Sequence, residues 1–225
     1  MSVTTSEFIF FKIKPSVRPE ELGNKEGEEL QQVFDDTKHQ SGHESSAWGR
    51  SAEDENMITW VLEWTDARSS ANTDHLKRYL DLDAQPPMAV YSTLCPPLAS
   101  SNTLTSNPVT EICVLSFASS LSGRETKQLH NDLINFRTSL LELSEAARPK
   151  SWSMGQVDRP STVEHAKSPS GKAVLHILTV GWESVEAHKK SRETDEFVSA
   201  IAPIREKSLG ALPGLDMKHV SFRKL

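Results

Sequence analysis

Three residues have the types and placement for proton transfer: Glu111, His176 and His219. Each falls in an apolar stretch that reads as a β-strand. Glu111 opens EICVLSF, His176 lies within Ala173–Trp182, and His219 lies within Leu215–Arg223. Alternation along a strand puts Glu111, Cys113 and Leu115 on one face of the first. It puts His176, Leu178, Val180 and Trp182 on one face of the second, and His219 with Met217 and Ser221 on one face of the third. In a four-stranded sheet of order 4-1-3-2 these faces adjoin, and Glu111, His176 and His219 converge. A carboxylate beside an imidazole raises its pKa and fixes its tautomer, which tunes a general base near neutrality.

Each candidate also has a plainer reading, a hydrogen-bonded structural histidine or a solvated carboxylate at a strand start. In the first part of the chain Glu7 stands where Glu111 stands in the second, but Ile58 occupies the place of His176. Chemistry is therefore expected in the second part. His39, His43, His75, His130, His165 and His188 fall in helices or loops and are expected to be exposed. Neither His176 nor His219 is paired with another histidine at metal-ligand spacing, so no metal is expected. The chain holds no GxSxG, GxGxxG or P-loop motif, and no nucleotide cofactor is expected.

Five tryptophans accompany only two tyrosines. Trp48, Trp60 and Trp152, with Cys113, Met154 and Leu178, are candidate walls of a pocket for an aromatic substrate, whereas Trp64 and Trp182 suit a core role.

The elements that must position these residues occur in an order that runs twice. Strands are expected at Phe8–Lys14, Ser46–Arg50, Met57–Trp64 and Ala89–Leu94, with helices over 20–40 and 72–82. After the polar stretch 99–108, which reads as a linker, strands are expected at Glu111–Phe117, Trp152–Val157, Ala173–Trp182 and Leu215–Arg223. A helix covers 124–147, and another starts at Val185 and continues with a bend at Pro203. Both halves carry a strand ending in Trp before an acidic and small pair, EWTDA at Trp64 and GWESV at Trp182, and a glycine in the second strand, Gly49 and Gly155. The reading is an α+β protein built as two tandem ferredoxin-like β-α-β-β-α-β units, residues 1–98 and 109–225. Two such sheets face each other as an intramolecular dimeric α+β barrel, with a cavity expected under the helices of each unit. The loop 158–171 is long enough to act as a lid.

The 225 residues carry a net charge of −6, with no basic stripe, which argues against a nucleic-acid partner. No apolar run approaches the length of a membrane span. Cys95 and Cys113 lack CxxC spacing and suit a reducing, cytoplasmic setting.

The stretch from His176 through Trp182 to Glu183-Ser184-Val185-Glu186 resembles the stress-responsive dimeric α+β barrel family, which includes olivetolic-acid-cyclase-like enzymes. In that family a strand runs from His through six residues to an aromatic, and E-S-V-E opens the following helix. EICVLSF and KHVSFRK fit the same pattern. The architecture is shared with the antibiotic-biosynthesis-monooxygenase family. The resemblance implies a cofactor-free pocket in which His176 moves protons on a phenolic or polyketide-like substrate. The family's HPAH segment is replaced here by Arg192-Glu193-Thr194-Asp195-Glu196-Phe197. The expected function is a cofactor-independent isomerase or cyclase of secondary metabolism. The alternatives are a cofactor-free monooxygenase of an aromatic substrate and a stress-response protein that only holds a hydrophobic ligand. The fused pair leaves room for further homodimerisation.

Overall fold

The computed structural model describes residues 4–98 and 103–225. The elements in chain order are β1 (Thr5–Lys12), α1 (Lys25–Thr37), β2 (His43–Ser51), β3 (Met57–Trp64), a 3-10 segment (Thr73–Tyr79) and β4 (Met88–Ser92). There follow α2 (Thr103–Ser106), β5 (Val109–Ala118), α3 (Gly123–Leu141), β6 (Ser151–Arg159), β7 (Val163–Glu164) and β8 (Lys172–Trp182). Two helices, α4 (Val185–Arg192) and α5 (Asp195–Lys207), and the strand β9 (Lys218–Lys224) complete the chain.

Eight strands close into an antiparallel barrel in the order β5-β9-β2-β3-β1-β4-β6-β8 and back to β5, and β7 only extends the start of β8. Within residues 5–92 the neighbours run β2-β3-β1-β4, and within 109–224 they run β6-β8-β5-β9. The edges of the two sets are not stacked apart but hydrogen-bonded, β2 to β9 from Ala47↔Lys224 to Ser51↔Val220, and β4 to β6 through a bulge at Tyr91/Ser92. Closure removes every long free edge. The paired glycines lie at these two seams. A Cβ on Gly49 would stand 2.5 Å from the Ser221 carbonyl oxygen, and one on Gly155 would stand 2.5 Å from the Thr93 carbonyl oxygen. Their repetition marks where one set of strands must let the other come close.

Alternate side chains fill the barrel, among them Phe8, Phe10, Val61, Val114, Ile177 and Val220. The opposite faces carry two further cores under the helices. Over β1 and β3, α1 and the 3-10 segment pack Phe34, Leu30 and Tyr79 onto Ile9, Trp48, Trp60 and Trp64. Over β5 and β8, α3 and α5 pack Leu133, Phe136, Phe197 and Ile201 onto Trp152, Leu178 and Trp182.

The helix that covers the second face is strongly specified. Ser122 caps α3 in a reciprocal box with Glu125, and Leu129, Leu133, Phe136 and Leu140 form its buried stripe. The segment expected as a helix over 72–82 is instead a single 3-10 run, capped by Asn72. The helix expected to bend at Pro203 breaks earlier. Thr194 accepts from the Phe197 N–H and caps α5 as a separate helix that contains Pro203. Of the stretch read as a linker, residues 99–102 lie outside those described. Leu98 and Leu104 on either side are buried in the barrel, and Asn107 donates to Ser151 Oγ. Among the described residues no helix is long and apolar enough to cross a membrane.

Candidate active site

A cavity of about 320 Å³ lies between the outer face of β5 and β8 and the helices α3, α4 and α5. Its floor is Cys113, Leu115, Trp152, Leu178 and Val180, and its roof is Phe136, Leu140, Phe197 and Ile201. Arg192 and Arg205, both exposed, stand at the rim. Glu111, Trp182 and His188 close the inner end.

The corresponding space over the first set of strands is filled, and the cross-strand pairs show why. Counted from the equivalent tryptophans, Trp60 corresponds to Leu178 and Ile9 to Cys113; Trp60 pairs with Ile9 and Trp48, whereas Leu178 pairs with Cys113 and Met154. Two indoles, packed at tilted angles against Phe34 with ring centroids 4.7 and 5.6 Å away, fill the first site. Smaller side chains at the same rungs leave the second one open. Among the described residues, the cavity expected under the helices of each unit is thus found over the second set, while the matching space over the first is packed. Trp48 and Trp60 are core residues of the filled side, away from the cavity. Trp152, Cys113 and Leu178 line it, and Met154 packs against the same cluster without being part of its wall.

Glu7 and Glu111 repeat one device with different surroundings. Each accepts the indole N–H of the tryptophan that ends the neighbouring strand, Trp64 at 2.8 Å and Trp182 at 3.0 Å. Glu7 also accepts from the Ala71 N–H at 2.9 Å and the Tyr91 hydroxyl at 2.5 Å, so it is sealed among donors. Glu111 has no such lid. Its Oε2 faces His188 Nε2 at 3.5 Å, and beyond His188 the polar contacts continue. His188 Nδ1 lies 2.7 Å from His219 Nε2, and His219 Nδ1 lies 2.5 Å from Glu53 Oε1, in the β2–β3 turn. Both imidazoles are buried, and His188 stacks on Trp182 at 4.8 Å.

Burial raises the Glu111 carboxyl above the usual carboxylate range, and the Trp182 donor and the Arg192 charge only partly oppose it. Burial likewise lowers His188 to about 3. Burial thus disfavours the charged form of both groups, and His188 meets Glu111 as a neutral imidazole. Burial pushes the Cys113 thiol up, so it is no nucleophile at neutral pH. Glu53 differs. Against the cost of its partial burial, hydrogen bonds from Ser51 Oγ and from the side chain and backbone of His219 hold it at about 2, ionised. Ionised, Glu53 accepts a hydrogen bond from His219 Nδ1–H. With His219 neutral, its Nε2 then accepts from His188 Nδ1–H, which turns a bare His188 Nε2 toward Glu111. The four groups form a line rather than a ring. Among the described residues no three His, Cys, Asp or Glu side chains are grouped to hold a metal ion.

Of the three residues first singled out, the structure brings Glu111 and His219 together, as partners on adjacent strands, with His188 between their side chains. His176 is not with them. It lies further along β8, opposite Leu115, with its ring edge-on to Phe117 at 5.5 Å. Its Nδ1 is buried without a hydrogen-bond partner, and burial lowers it to about 4. His188 was expected to be exposed and is 2% exposed. A signal for it exists in the chain. Ser184 caps α4, so Val185, His188 and Ser191 share one face at helical spacing. His165, also expected outside, is buried and accepts from the Lys167 N–H. The loop 158–171 contributes nothing to the cavity wall. It is pinned to the start of β8 by His165 N–H to Gly171 O at 2.9 Å and Ser168 Oγ to Lys172 O at 2.6 Å.

No family model and no curated protein matches the chain in sequence. Solved structures do match in shape. An anthrone oxidase-like protein aligns at a TM-score of 0.63 and 11% identity, over 100% of this chain and 93% of its own. A protein from Lactobacillus acidophilus provisionally named a monooxygenase aligns at 0.54 and 7% identity, over 98% of this chain and 94% of its own. A mutant chlorite dismutase from Candidatus Nitrospira defluvii aligns at 0.54 and 9% identity, over 99% of this chain and 92% of its own. What is shared at such identities is the fold, an eight-stranded α+β barrel spanning the whole chain. None of the residues at the inner end of the cavity is carried over from them. Their roles rest on the distances and burial given above.

Proposed function

We propose that the cavity is the active site of an enzyme that removes and returns a proton on a phenolic or polyketide-like small molecule, without a bound cofactor, so as to isomerise or cyclise it. One observation carries this reading. An apolar cavity of about 320 Å³, within the range of small-molecule sites, ends on a buried carboxyl group 3.5 Å from a buried imidazole nitrogen. Glu111 and His188 are the acid and base. Trp152, Leu178 and Phe197 enclose an aromatic body, and Arg192 and Arg205 attract the negative charge of a phenolate or carboxylate at the mouth. His219 and Glu53 fix the tautomer of His188. His176 is assigned no proton transfer in this scheme.

A second reading starts from the same proton abstraction. O2 would oxidise the resulting carbanion, one oxygen atom entering the product as a ketone and the other leaving as water. The likeness in fold to an anthrone oxidase-like protein favours it. The repeated strand order, the repeated Trp–Glu bond and the glycine at each seam support an origin by internal duplication. In that case units 1–98 and 109–225, joined by 99–108, have diverged into a packed half and a half with a site.

The test is a panel of phenols, polyketide-like diketones and anthrones, with binding followed by Trp fluorescence and turnover followed by product analysis, in air and under nitrogen. Turnover under nitrogen selects the isomerase or cyclase, and turnover only in air selects the oxygenase. Glu111→Gln should keep binding and lose turnover at least about 100-fold, the usual contribution of a general acid or base. Ligands that bind but are never converted would leave only a binding protein.

A further inference from the structure

Glu111 is the cavity end of a line of side chains whose other end reaches solvent on the opposite side of the β2–β9 seam. The steps are 3.5 Å from Glu111 to His188, 2.7 Å from His188 to His219, and 2.5 Å from His219 to Glu53. Both nitrogens of both imidazoles lie on the line. A ring that receives a proton at one nitrogen can release the one on the other, so each histidine can pass a proton without turning. The interior of the line is dry, with His188 at 2% and His219 at 3% exposure. The Glu53 side chain is 43% exposed. Its Oε2 is held by Ser51 Oγ at 2.6 Å and the His219 N–H at 3.0 Å, which leaves Oε1 for the imidazole. The other groups around Glu111 offer no exit, since the indole of Trp182 only donates. Glu7 shows the same carboxyl without such a line, closed in by Trp64, Ala71 and Tyr91.

We propose that Glu111, His188, His219 and Glu53 form a proton relay from the cavity to solvent, in which the first half of the chain supplies the outlet of a site built on the second. The relay rests on the proposed function, in which Glu111 exchanges a proton with the substrate. With Glu111 protonated, its proton passes to His188 Nε2. The proton on His188 Nδ1 passes to His219 Nε2, and the one on His219 Nδ1 passes to Glu53, which gives it to water. Counting the last step to water, four bonds to hydrogen break and four form. Glu111 is left ionised, and both rings end protonated at Nε2. The reverse sequence delivers a proton to the cavity. His219 and Glu53 are positioning residues in this scheme, because neither touches the cavity.

The relay is testable in the unliganded protein by long-range ¹H–¹⁵N correlation of the histidine rings at neutral pH. In the unaltered chain His188 and His219 should both carry their proton on Nδ1. Glu53→Ala removes the outer acceptor, and both rings should switch to Nε2–H, including His188, which Glu53 does not touch. Glu53→Gln, whose amide oxygen still accepts, should keep the original pattern, while the amide spectrum reports that each variant is folded. A switch at His219 alone, no switch in Glu53→Ala, or opposite tautomers in the unaltered chain would each overturn the relay. Loss of the pattern in Glu53→Gln as well would assign it to the turn rather than to the acceptor, and overturns the role of Glu53. No substrate enters this experiment. A cavity that converts nothing would sink the functional reading while the tautomers still decide the relay.

Discussion

Replacing His176 with isoleucine should stabilise the protein, and more so in acid. Ile58 occupies the matching rung of β3, two residues before Trp60, and is fully buried there, so an aliphatic side chain fits that rung of the same architecture. His176 has a buried Nδ1 without a partner, which costs about 1–3 kcal/mol. Its edge contact with Phe117 returns about 0.5–1.5 kcal/mol. The variant should then gain about 1 kcal/mol at pH 8. The acid dependence follows from linkage. The ordinary histidine value of 6.5 is lowered by burial to about 4. Below pH 6.5 the unfolded chain therefore binds a proton that the folded chain refuses, and stability falls until the pH passes about 4. The complete shift amounts to about 3.4 kcal/mol, of which about 2 kcal/mol is lost by pH 5. Isoleucine does not titrate. The variant should therefore lead by about 3 kcal/mol at pH 5, against about 1 at pH 8.

Urea unfolding followed by tryptophan emission at pH 8, 7, 6 and 5 measures this directly. His188 contributes its own fall over the same interval, lowered as it is to about 3, but equally in both proteins, so the difference isolates His176. A variant that is less stable at pH 8, with a pH dependence parallel to that of the unaltered chain, would refute the reasoning. It would mean that the imidazole has a partner in solution, and a proton-transfer role for His176 would return.

Three further outcomes follow from the same contacts. Leu178→Trp, which places an indole where Trp60 stands in the filled half, should weaken binding of a probe such as 1-naphthol at least about 10-fold, worth about 1.4 kcal/mol, without lowering the melting temperature; unchanged binding would show that the cavity is not the site. Trp182→Phe removes the indole donor to Glu111; it should cost about 1–2 kcal/mol and raise the Glu111 pKa further, as read by ¹³C titration of the carboxyl, and a fall would contradict the assignment of the donor. Gly49→Ala sets a methyl 2.5 Å from the Ser221 carbonyl and should destabilise by about 1–3 kcal/mol, with the fastest amide exchange along β2 and β9; protection unchanged there would deny that the glycine shapes the seam.

Much of the architecture was legible because it rests on short-range patterns. Period-two alternation found all eight barrel strands to within a few residues and put Glu111 and Cys113 on the correct face of β5. The strand order needed for Glu111 to meet His219 follows from the register Glu111↔His219 and Glu111↔Val180. His176 shares that face, but side chains two residues apart on a strand are nearly 7 Å apart. It stands three such steps from Trp182, the residue that marks the Glu111 end. Parity alone cannot tell one end of a strand from the other. His188 was missed for a different reason. The segment VEAHKKSR has a polar composition that suits a solvated helix, and only the cap at Ser184 shows which face turns inward.

The location of the cavity was the least legible feature, because it depends on pairs of residues far apart in the chain. Trp60 is unremarkable until it is seen opposite Trp48 with Phe34 between them, and Leu178 until it is seen opposite Met154. The two halves keep the same Trp–Glu bond, so the buried carboxyl cannot by itself be a mark of chemistry. In one half three donors satisfy it and aromatic rings occupy the space above it. In the other, smaller side chains at the rungs matching Trp60 and Trp48 leave a cavity, and in place of the tyrosine and amide donors the carboxyl faces an imidazole. A buried acid with its donors removed is costly unless another polar group meets it, and His188, backed by His219 and Glu53, is that group. The half with the open cavity is therefore also the half whose buried carboxyl depends on a polar line for its partner.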